Sequence, residues 1–91
     1  MFNGKKILIT GGTGSLGKAL TTYLLKNYKK IKKLIIFSRD EFKQYEMQEH
    51  FNLKKNTNLR FFLGDVRDYD RMELALRDVD YVIHAAALKQ V

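Results

Sequence analysis

The chain has 91 residues, 45% of them hydrophobic and 30% charged, and its formal net charge is +7. This length supports one small domain, and no apolar run approaches the ~20 residues that a membrane-spanning helix needs. Since there is no cysteine, a disulfide framework and a cysteine-based zinc site are both excluded. The first residues lead directly into a strand pattern, without the apolar region of a signal peptide, so we expect a cytoplasmic protein.

The positive charge lies mainly in the first third of the chain. Residues 1–33 contain eight lysines and no acidic residue, whereas residues 34–91 contain nine basic and ten acidic residues. Five of the lysines cluster where the first helix is predicted to end, and cations there complement the helix dipole. Tyr28 is the only aromatic residue in that cluster, so we expect neither nucleic acid nor a membrane as a partner.

Apolar runs alternate with amphipathic stretches along the whole chain. In chain order the pattern predicts a strand at 5–10, a helix at 14–29, a strand at 33–38, a helix at 39–53, a strand at 58–63, a short helix from an Asp70–Glu73 capping box and a strand at 80–86. The predicted inward faces are Leu16, Ala19, Leu20, Tyr23, Leu24 and Asn27 on the first helix and Met72, Ala75, Leu76 and Val79 on the third.

This order of elements predicts an α/β fold with a parallel sheet, because near-continuous apolar strands joined by helical crossovers are buried on both faces. Right-handed crossovers and a glycine turn after the first strand give a Rossmann-type, doubly wound sheet of four strands in the order 3-2-1-4, with three crossover helices. The fourth strand would be an exposed apolar edge. We therefore expect residues 1–91 to be the N-terminal part of a longer NAD(P)-binding Rossmann domain, followed by a substrate domain.

The glycine-rich stretch "GGTGSLGKAL" first suggests a P-loop, G-x-x-x-x-G-K-[ST]. Gly12, Gly17 and Lys18 fit that pattern. The next residue should be serine or threonine, because its hydroxyl ligates Mg²⁺, but Ala19 has no oxygen to offer. The P-loop interpretation therefore fails at the residue that carries its metal chemistry.

A dinucleotide-binding turn fits the same stretch better. Gly12, Gly14 and Gly17 form G-x-G-x-x-G, and Gly11 in place of Gly12 gives G-x-x-G-x-x-G. Glycines at this spacing permit a tight turn, close backbone approach to a pyrophosphate and close packing of helix on strand. The turn follows an apolar strand and opens a helix, whose N-terminus favours an anion.

Charged residues follow the second strand, where NAD-binding domains place an acid for the ribose 2′-hydroxyl. Here Arg39 comes first, and Lys43 lies four residues later on the same helix face. These cations suit a 2′-phosphate, whereas Asp40 suits a plain ribose. We predict NADP, with NAD as the alternative; Ser38 and Glu41 have the spacing of a capping box.

The third and fourth strands end in residues that suit the rest of a dinucleotide. Asp65 and Val66 would lie at the carboxyl edge, where the acid can accept from an adenine amino group; the alternative is an ordinary turn with Asp68 starting a helix. The small residues 85–87 would let a ribose approach the sheet. We expect His84, within the last strand, to be a packed or supporting residue rather than a catalytic base.

One apparent catalytic pair is rejected on position. Tyr28 and Lys32 have the Tyr-x-x-x-Lys spacing of many reductases with this turn, but they lie at the end of the first helix, at the wrong edge of the sheet. Neither a metal cluster nor a nucleophile–base pair is evident elsewhere. We therefore expect no catalytic residue and no metal ligand in this chain.

The segments "ILITGGTGSLGKAL", "IIFSRDEFKQYEM", "LRFFLGDVRD" and "DYVIHAAALKQV" together resemble the extended short-chain dehydrogenase/reductase superfamily. Within it they are similar to the inverting UDP-N-acetylglucosamine 4,6-dehydratases and related polysaccharide-biosynthesis proteins. The specific parts are "SRDE-x-KQ-x-EM" and "HAAA-x-KQV", and the resemblance covers all 91 residues.

The resemblance implies a site for NADP along the carboxyl edge of the sheet. The implied contacts are Thr13, Gly14, Ser15 and Leu16 at the turn, Ser38, Arg39, Asp40 and Lys43 around the 2′-phosphate, Asp65 and Val66 at the adenine, and Ala86 beside the cofactor. Lys89 would reach the nucleotide-sugar site.

The resemblance also implies a lyase reaction with an internal redox cycle. Hydride moves from sugar C4 to NADP⁺, water leaves across C5–C6, and hydride returns to C6 with inversion at C5. The catalytic Asp-Lys pair and the tyrosine of the family lie beyond the fourth strand, so we expect the 91-residue chain alone to be inactive. The alternatives are a nucleotide-sugar epimerase or reductase, and a non-catalytic dinucleotide-sensing module. For the full-length protein we expect a UDP-sugar substrate and a homo-oligomer.

Overall fold

The computed structural model describes residues 1–85 and contains seven elements that alternate between strand and helix. The strands are β1 (Lys6–Thr10), β2 (Lys33–Ser38), β3 (Leu59–Leu63) and β4 (Tyr81–His84). The helices are α1 (Ser15–Asn27), α2 (Glu41–His50) and α3 (Tyr69–Ala75). Within the described part of the chain, no helix is long and apolar enough to cross a membrane.

The four strands form one parallel sheet in the order β3-β2-β1-β4, so the predicted doubly wound order is confirmed. In the register of the central strand, Ile7 lies opposite Leu34 of β2 and Tyr81 of β4. The reversal of strand order therefore falls at β1, which is also the strand that precedes the glycine turn. Ligands of open α/β sheets bind at such a switch point, beyond the carboxyl ends of the strands.

The two faces of the sheet bury separate apolar clusters. Ile9 and Ile36 pack with Leu24 of α1 and Met47 of α2 on one face. On the opposite face Leu8, Ile35 and Phe37 pack with Ala75 of α3. Because adjacent strand residues point to opposite faces, the continuous apolar runs of β1 and β2 supply both clusters. The outer strand β4 remains open, with Tyr81 40% and Val82 51% exposed.

The buried face of α1 differs from the predicted one. Leu24 is buried as predicted, but Leu16 and Tyr23, which were also expected to point inward, are 53% and 55% exposed, and Gly17 and Thr21 are buried instead. Thr21 can be buried because its hydroxyl donates to the Gly17 carbonyl at 2.8 Å, which satisfies the polar group inside the helix. The close contact of Gly17 with the preceding turn then sets which side of α1 faces the sheet.

The predicted capping box at α2 is wrong. The helix begins at Glu41, and its N-cap is Asp40, whose Oδ1 accepts from the backbone N–H of Lys43 at 3.0 Å. Ser38 is still part of β2, where the sheet register holds it, so its side chain lies too early in the chain to cap α2.

At α3 the Asp70–Glu73 capping box is also wrong, and the alternative start at Asp68 is confirmed. The Asp68 carboxylate accepts from the backbone N–H of Arg71 at 3.2 Å and caps a helix that begins at Tyr69. The inward face of the third helix is as predicted, since Met72, Ala75, Leu76 and Val79 all pack in the second cluster.

Candidate functional site

A cleft of about 800 Å³ lies at the carboxyl edge of the sheet, between the glycine turn and the ends of the other three strands. It brings together most of the residues that the sequence singled out. Those that line it are Gly11, Thr13, Gly14, Ser15, Leu16, Ser38, Arg39, Asp40, Lys43, Asp65 and Val66. Ala86 and Lys89 lie outside the described residues.

The glycine turn leaves the start of α1 open toward this cleft. Gly11 has a φ of 64°, a backbone conformation that favours glycine. Gly14 is the N-cap of α1 and provides no side-chain cap, so no side chain covers the first helical N–H groups there. An ideal Cβ at Gly14 would have one neighbour within 4 Å, the Gly11 oxygen at 3.6 Å. The turn can therefore receive an anionic group close to its backbone.

Gly17 contributes to packing and does not line the cleft. An ideal Cβ on Gly17 would lie 2.2 Å from the Gly12 oxygen and 2.5 Å from the Gly12 Cα. A Cβ on Gly12 would in turn lie 2.6 Å from Ile36 Cγ2. These two glycines let α1 approach the sheet closely, and this approach brings the helix N-terminus to the carboxyl ends of β1 and β2.

The end of β2 is held in place by Gln44, a residue that the sequence reasoning missed. Gln44 is 6% exposed, and its Nε2 lies 3.1 Å from Ser38 O, 3.0 Å from Ser38 Oγ and 3.1 Å from Phe62 O. The Ser38 carbonyl also accepts from Gly64 N–H at 2.9 Å. These bonds tie α2 to β2 and β3. The available signal was the position of Gln44 three residues before Met47, which is buried on the same helix.

Two cations follow the strand that Gln44 anchors. Arg39 and Lys43 are both exposed, and both line the cleft. The side chain of Arg39 is 71% exposed, so its guanidinium is available to a ligand. Asp40 lies between them in the chain, but one of its carboxylate oxygens is engaged as the cap of α2. This part of the cleft therefore favours a second anion.

The carboxylate of Asp65 lies between two arginines at the end of β3. Arg67 donates to both carboxylate oxygens, from Nε to Oδ1 at 3.1 Å and from Nη2 to Oδ2 at 2.8 Å, and its backbone N–H donates to Oδ1 at 2.9 Å. Arg39 Nη1 lies 3.6 Å from Oδ2. The hydrogen bonds from Arg67, with a smaller contribution from the charge of Arg39, hold the pKa of Asp65 well below its usual range.

Two exposed aliphatic side chains give part of the cleft an apolar surface. Val66 is 48% exposed and Leu16 is 53% exposed, and both belong to its lining. Exposed aliphatic groups beside polar ones suit a planar ring that also carries hydrogen-bonding groups.

His84 is exposed at the end of β4 and is not packed in the core. Its Nδ1 forms a short hydrogen bond with the hydroxyl of Thr10, which ends the neighbouring strand. His84 is therefore not the packed core residue that was one of the two expectations, and its bond to Thr10 agrees with the other, a supporting residue. His84 and Ala85 both line the cleft, and Ala85 is buried.

The Tyr28–Lys32 pair lies at the other edge of the sheet, as expected from its position in the chain. Tyr28 is the C-cap of α1, and Lys32 donates its backbone N–H to the Lys5 carbonyl, just before β2 starts. The cleft lies at the opposite end of β2. Among residues 1–85, no group of three or more His, Asp or Glu side chains is placed to hold a metal ion.

Comparison with known proteins agrees with this geometry. Residues 7–91 match the model of a family described as polysaccharide biosynthesis protein. The chain belongs to this family. It is 62% identical over 91 residues to an inverting UDP-N-acetylglucosamine 4,6-dehydratase of Campylobacter jejuni (strain 81-176), and 54% identical over 93 residues to a UDP-glucose 4-epimerase of Rickettsia bellii (strain OSU 85-389). Each alignment covers 100% of this chain and 26% of the relative, so the chain spans about a quarter of the length of these relatives.

Solved structures of similar fold include Pen from Bacillus thuringiensis, which is 41% identical with a TM-score of 0.87 over 100% of this chain and 27% of that one. A dTDP-glucose 4,6-dehydratase from Bacillus anthracis, solved in complex with NAD, has a TM-score of 0.76 at 24% identity, over 91% of this chain and 27% of that one. The second likeness is one of fold. The predicted resemblance to dehydratases of the extended short-chain dehydrogenase/reductase superfamily is confirmed.

In this family member the cleft presents groups that favour an anion at two places. One place is the glycine turn at the start of α1, and the other is formed by Arg39, which precedes α2, and Lys43 in the first turn of α2. Val66 and the paired Asp65 lie at the end of β3, on the same cleft, and provide an apolar surface next to hydrogen-bonding groups. The cleft therefore presents helix N–H groups without a side-chain cap at one place, two exposed cations at a second and an apolar surface beside Asp65 at a third.

Proposed function

We propose that this chain is the NADP-binding part of a UDP-N-acetylglucosamine 4,6-dehydratase that acts in the biosynthesis of surface polysaccharides or glycans. The observation that carries the proposal is the placement of Arg39 and Lys43 on the same cleft as the open glycine turn. The choice of a dehydratase follows from the 62% identity to the enzyme of Campylobacter jejuni along the whole chain.

The charges of the cleft support NADP over NAD. The guanidinium of Arg39 and the ammonium of Lys43 are exposed on the cleft, and a 2′-phosphate gains charge-assisted hydrogen bonds from such groups. Asp40 is the residue that suits a plain ribose, but its Oδ1 already accepts from the backbone of α2. NAD remains the alternative cofactor, and the cofactor titrations described below separate the two.

In this proposal each part of the chain has a binding role. Residues 13–16 hold the diphosphate with the N–H groups that open α1, and Val66 packs on the adenine beside Asp65. The cofactor, when bound, supplies reversible hydride transfer at sugar C4 and C6. The UDP-sugar and the acid–base groups are then contacted mainly by residues that follow this chain in the longer protein. We propose that the longer protein is a homo-oligomer, and its cytoplasmic location remains a prediction.

A UDP-glucose 4-epimerase is the second candidate function. Several epimerases from Rickettsia species are 50% to 54% identical along the whole chain. A dinucleotide site of this kind serves both reactions, because each begins with hydride removal at C4. The two activities differ in product, since the dehydratase eliminates water and the epimerase releases an isomer of unchanged mass.

The proposal is tested with the full-length protein that contains this chain. It is incubated with NADP⁺ and UDP-N-acetylglucosamine, and separately with UDP-glucose, and the products are identified by mass spectrometry and NMR. We expect a 4-keto-6-deoxy product, lighter than UDP-N-acetylglucosamine by one water. Formation of UDP-galactose without loss of water would support the epimerase, and the absence of any product relative to a heat-inactivated control would contradict both candidates.

A further inference from the structure

Two arginines approach the Asp65 carboxylate, and they do so unequally. Arg67 makes two guanidinium hydrogen bonds and one backbone hydrogen bond to it, at 2.8–3.1 Å. Arg39 Nη1 stays 3.6 Å away, close enough for an ion pair but beyond hydrogen-bond distance. Asp65 is thus held by Arg67, and Arg39 donates no hydrogen bond to it.

The position of Asp65 creates a conflict for an anion at Arg39. A bare carboxylate this close to the guanidinium would compete with a phosphate for the same donors. It would also repel the phosphate, whose charge has the same sign. The two-point pair with Arg67 removes most of this competition, because it occupies both carboxylate oxygens and offsets the charge.

We propose that Arg67 strengthens the preference of this cleft for a dinucleotide with a 2′-phosphate, by holding the Asp65 carboxylate away from Arg39. The inference rests on the proposed function and adds Arg67 to the residues that set its cofactor preference. Arg67 is a positioning residue here, since it acts on the cofactor through Asp65. The mechanism predicts that loss of Arg67 lets Asp65 pair with Arg39, so that affinity for NADP⁺ falls while affinity for NAD⁺ changes little.

The test measures the affinities of the full-length protein for NADP⁺ and NAD⁺ by isothermal titration calorimetry, with the ratio of the two as the readout. We expect Arg67→Gln to lower the NADP⁺/NAD⁺ ratio about fivefold, the scale of one exposed ion pair. Arg67→Lys keeps the positive charge but cannot donate two parallel hydrogen bonds to the carboxylate. Its NADP⁺/NAD⁺ ratio should therefore lie between those of the parent and Arg67→Gln. Arg77→Gln removes the same charge from an exposed residue just before β4, away from the cleft, and should leave the ratio unchanged.

Repeating the Arg67 substitution in an Asp65→Asn protein distinguishes an effect of Arg67 through Asp65 from a direct contact of Arg67 with the cofactor. In Asp65→Asn the competing charge is absent, so Arg67→Gln added to Asp65→Asn should no longer change the ratio. Asp65→Asn itself should alter both affinities alike at the adenine, which the two cofactors share. The side chain of Arg67 is 77% exposed, and we expect every variant to keep the circular dichroism of the parent.

Each outcome decides between the inference and its alternatives. An unchanged ratio in Arg67→Gln would overturn the inference and leave the proposed function intact. An equal loss in the parent and in the Asp65→Asn background would show that Arg67 contacts the cofactor directly, which also overturns it. Failure of the unmodified protein to bind either dinucleotide would instead contradict the proposed function.

Discussion

Gly17→Ala is the change for which the structure predicts the largest effect from a single methyl group. The new Cβ would lie 2.2 Å from the Gly12 oxygen, 2.4 Å from the Gly12 carbonyl carbon and 2.5 Å from its Cα. These neighbours are backbone atoms, and Gly12 is held to β2 by its N–H donating to Phe37 O at 3.3 Å. No side-chain rotation can therefore relieve the contact, and α1 must move away from the turn.

The magnitude follows from two opposing terms. Replacing a helical glycine with alanine gains about 1 kcal/mol of helix propensity. Overpacking typically costs about 1–3 kcal/mol, and a backbone overlap about 1.2 Å inside ordinary van der Waals contact belongs at or above the upper end. The shift also loosens Leu24, which is buried on the same face of α1. We expect a net loss of about 2 kcal/mol, which lowers the melting temperature of a domain this size by about 8–16 °C.

The assay is thermal and urea denaturation of the 91-residue chain, followed by circular dichroism at low protein concentration. Gly14→Ala is the matched control, because its Cβ would lie 3.6 Å from its nearest neighbour and its φ of −77° suits any residue. We expect this control to stay within about 1 kcal/mol of the parent. Equal stability of the Gly17→Ala and Gly14→Ala chains would refute the packing argument.

Four further predictions concern binding, stability and activity. In the full-length protein, Gly14→Val should abolish cofactor binding while the fold survives, because the φ and ψ of residue 14 allow valine but its methyl groups would occupy the diphosphate space. Arg39→Ala should weaken NADP⁺ relative to NAD⁺ by about 1–3 kcal/mol, or about 5- to 150-fold in a calorimetric titration. Gln44→Leu should destabilise the chain by about 1–3 kcal/mol in urea denaturation, because the buried hydrogen bonds from its amide to Ser38 and Phe62 are lost. The 91-residue chain alone should produce no 4-keto-6-deoxy sugar from UDP-N-acetylglucosamine, and should bind NADP⁺ more weakly than the full-length protein.

Specific results would contradict each of these predictions. Retained cofactor affinity in a folded Gly14→Val protein would remove the glycine turn from the site. An unchanged cofactor preference in Arg39→Ala would mean that another residue recognises the phosphate. Gln48→Leu is the control for Gln44→Leu, since Gln48 is exposed on the same helix, and an equal effect of the two would argue against the buried bonds. Turnover by the 91-residue chain above a heat-inactivated control would place catalytic groups within these residues.

The order of elements, the sheet topology and the position of the cleft could be predicted from the sequence. Apolar runs in β1 and β2 are long enough to be buried on both faces, and right-handed crossovers together with the glycine turn after the first strand predicted the order 3-2-1-4. The glycine spacing placed a turn at the carboxyl end of β1. Because parallel strands all end at one edge, the residues that follow β2 and β3 had to share that edge with the turn.

Helix starts were the part that local sequence could not decide. Near α2 both Ser38 and Asp40 are good N-cap residues, and near α3 so are Asp68 and Asp70. The choice depends on where the preceding strand stops pairing. Ser38 is paired with Leu63 in the sheet, so the next competent side chain, Asp40, became the cap.

Only the tertiary structure decided which polar groups meet. Thr21 is buried where the hydrophobic pattern placed Leu16 and Tyr23, because the close contact of Gly17 with Gly12 sets the rotation of α1. In the same way, the sequence placed Arg39 and Asp65 at the same edge of the sheet but did not indicate that their side chains would form an ion pair at 3.6 Å. Hydrophobic periodicity indicates which residues prefer to be buried. The contacts between polar groups depend instead on the distance between backbone segments, and that distance is set only when the helices pack on the sheet.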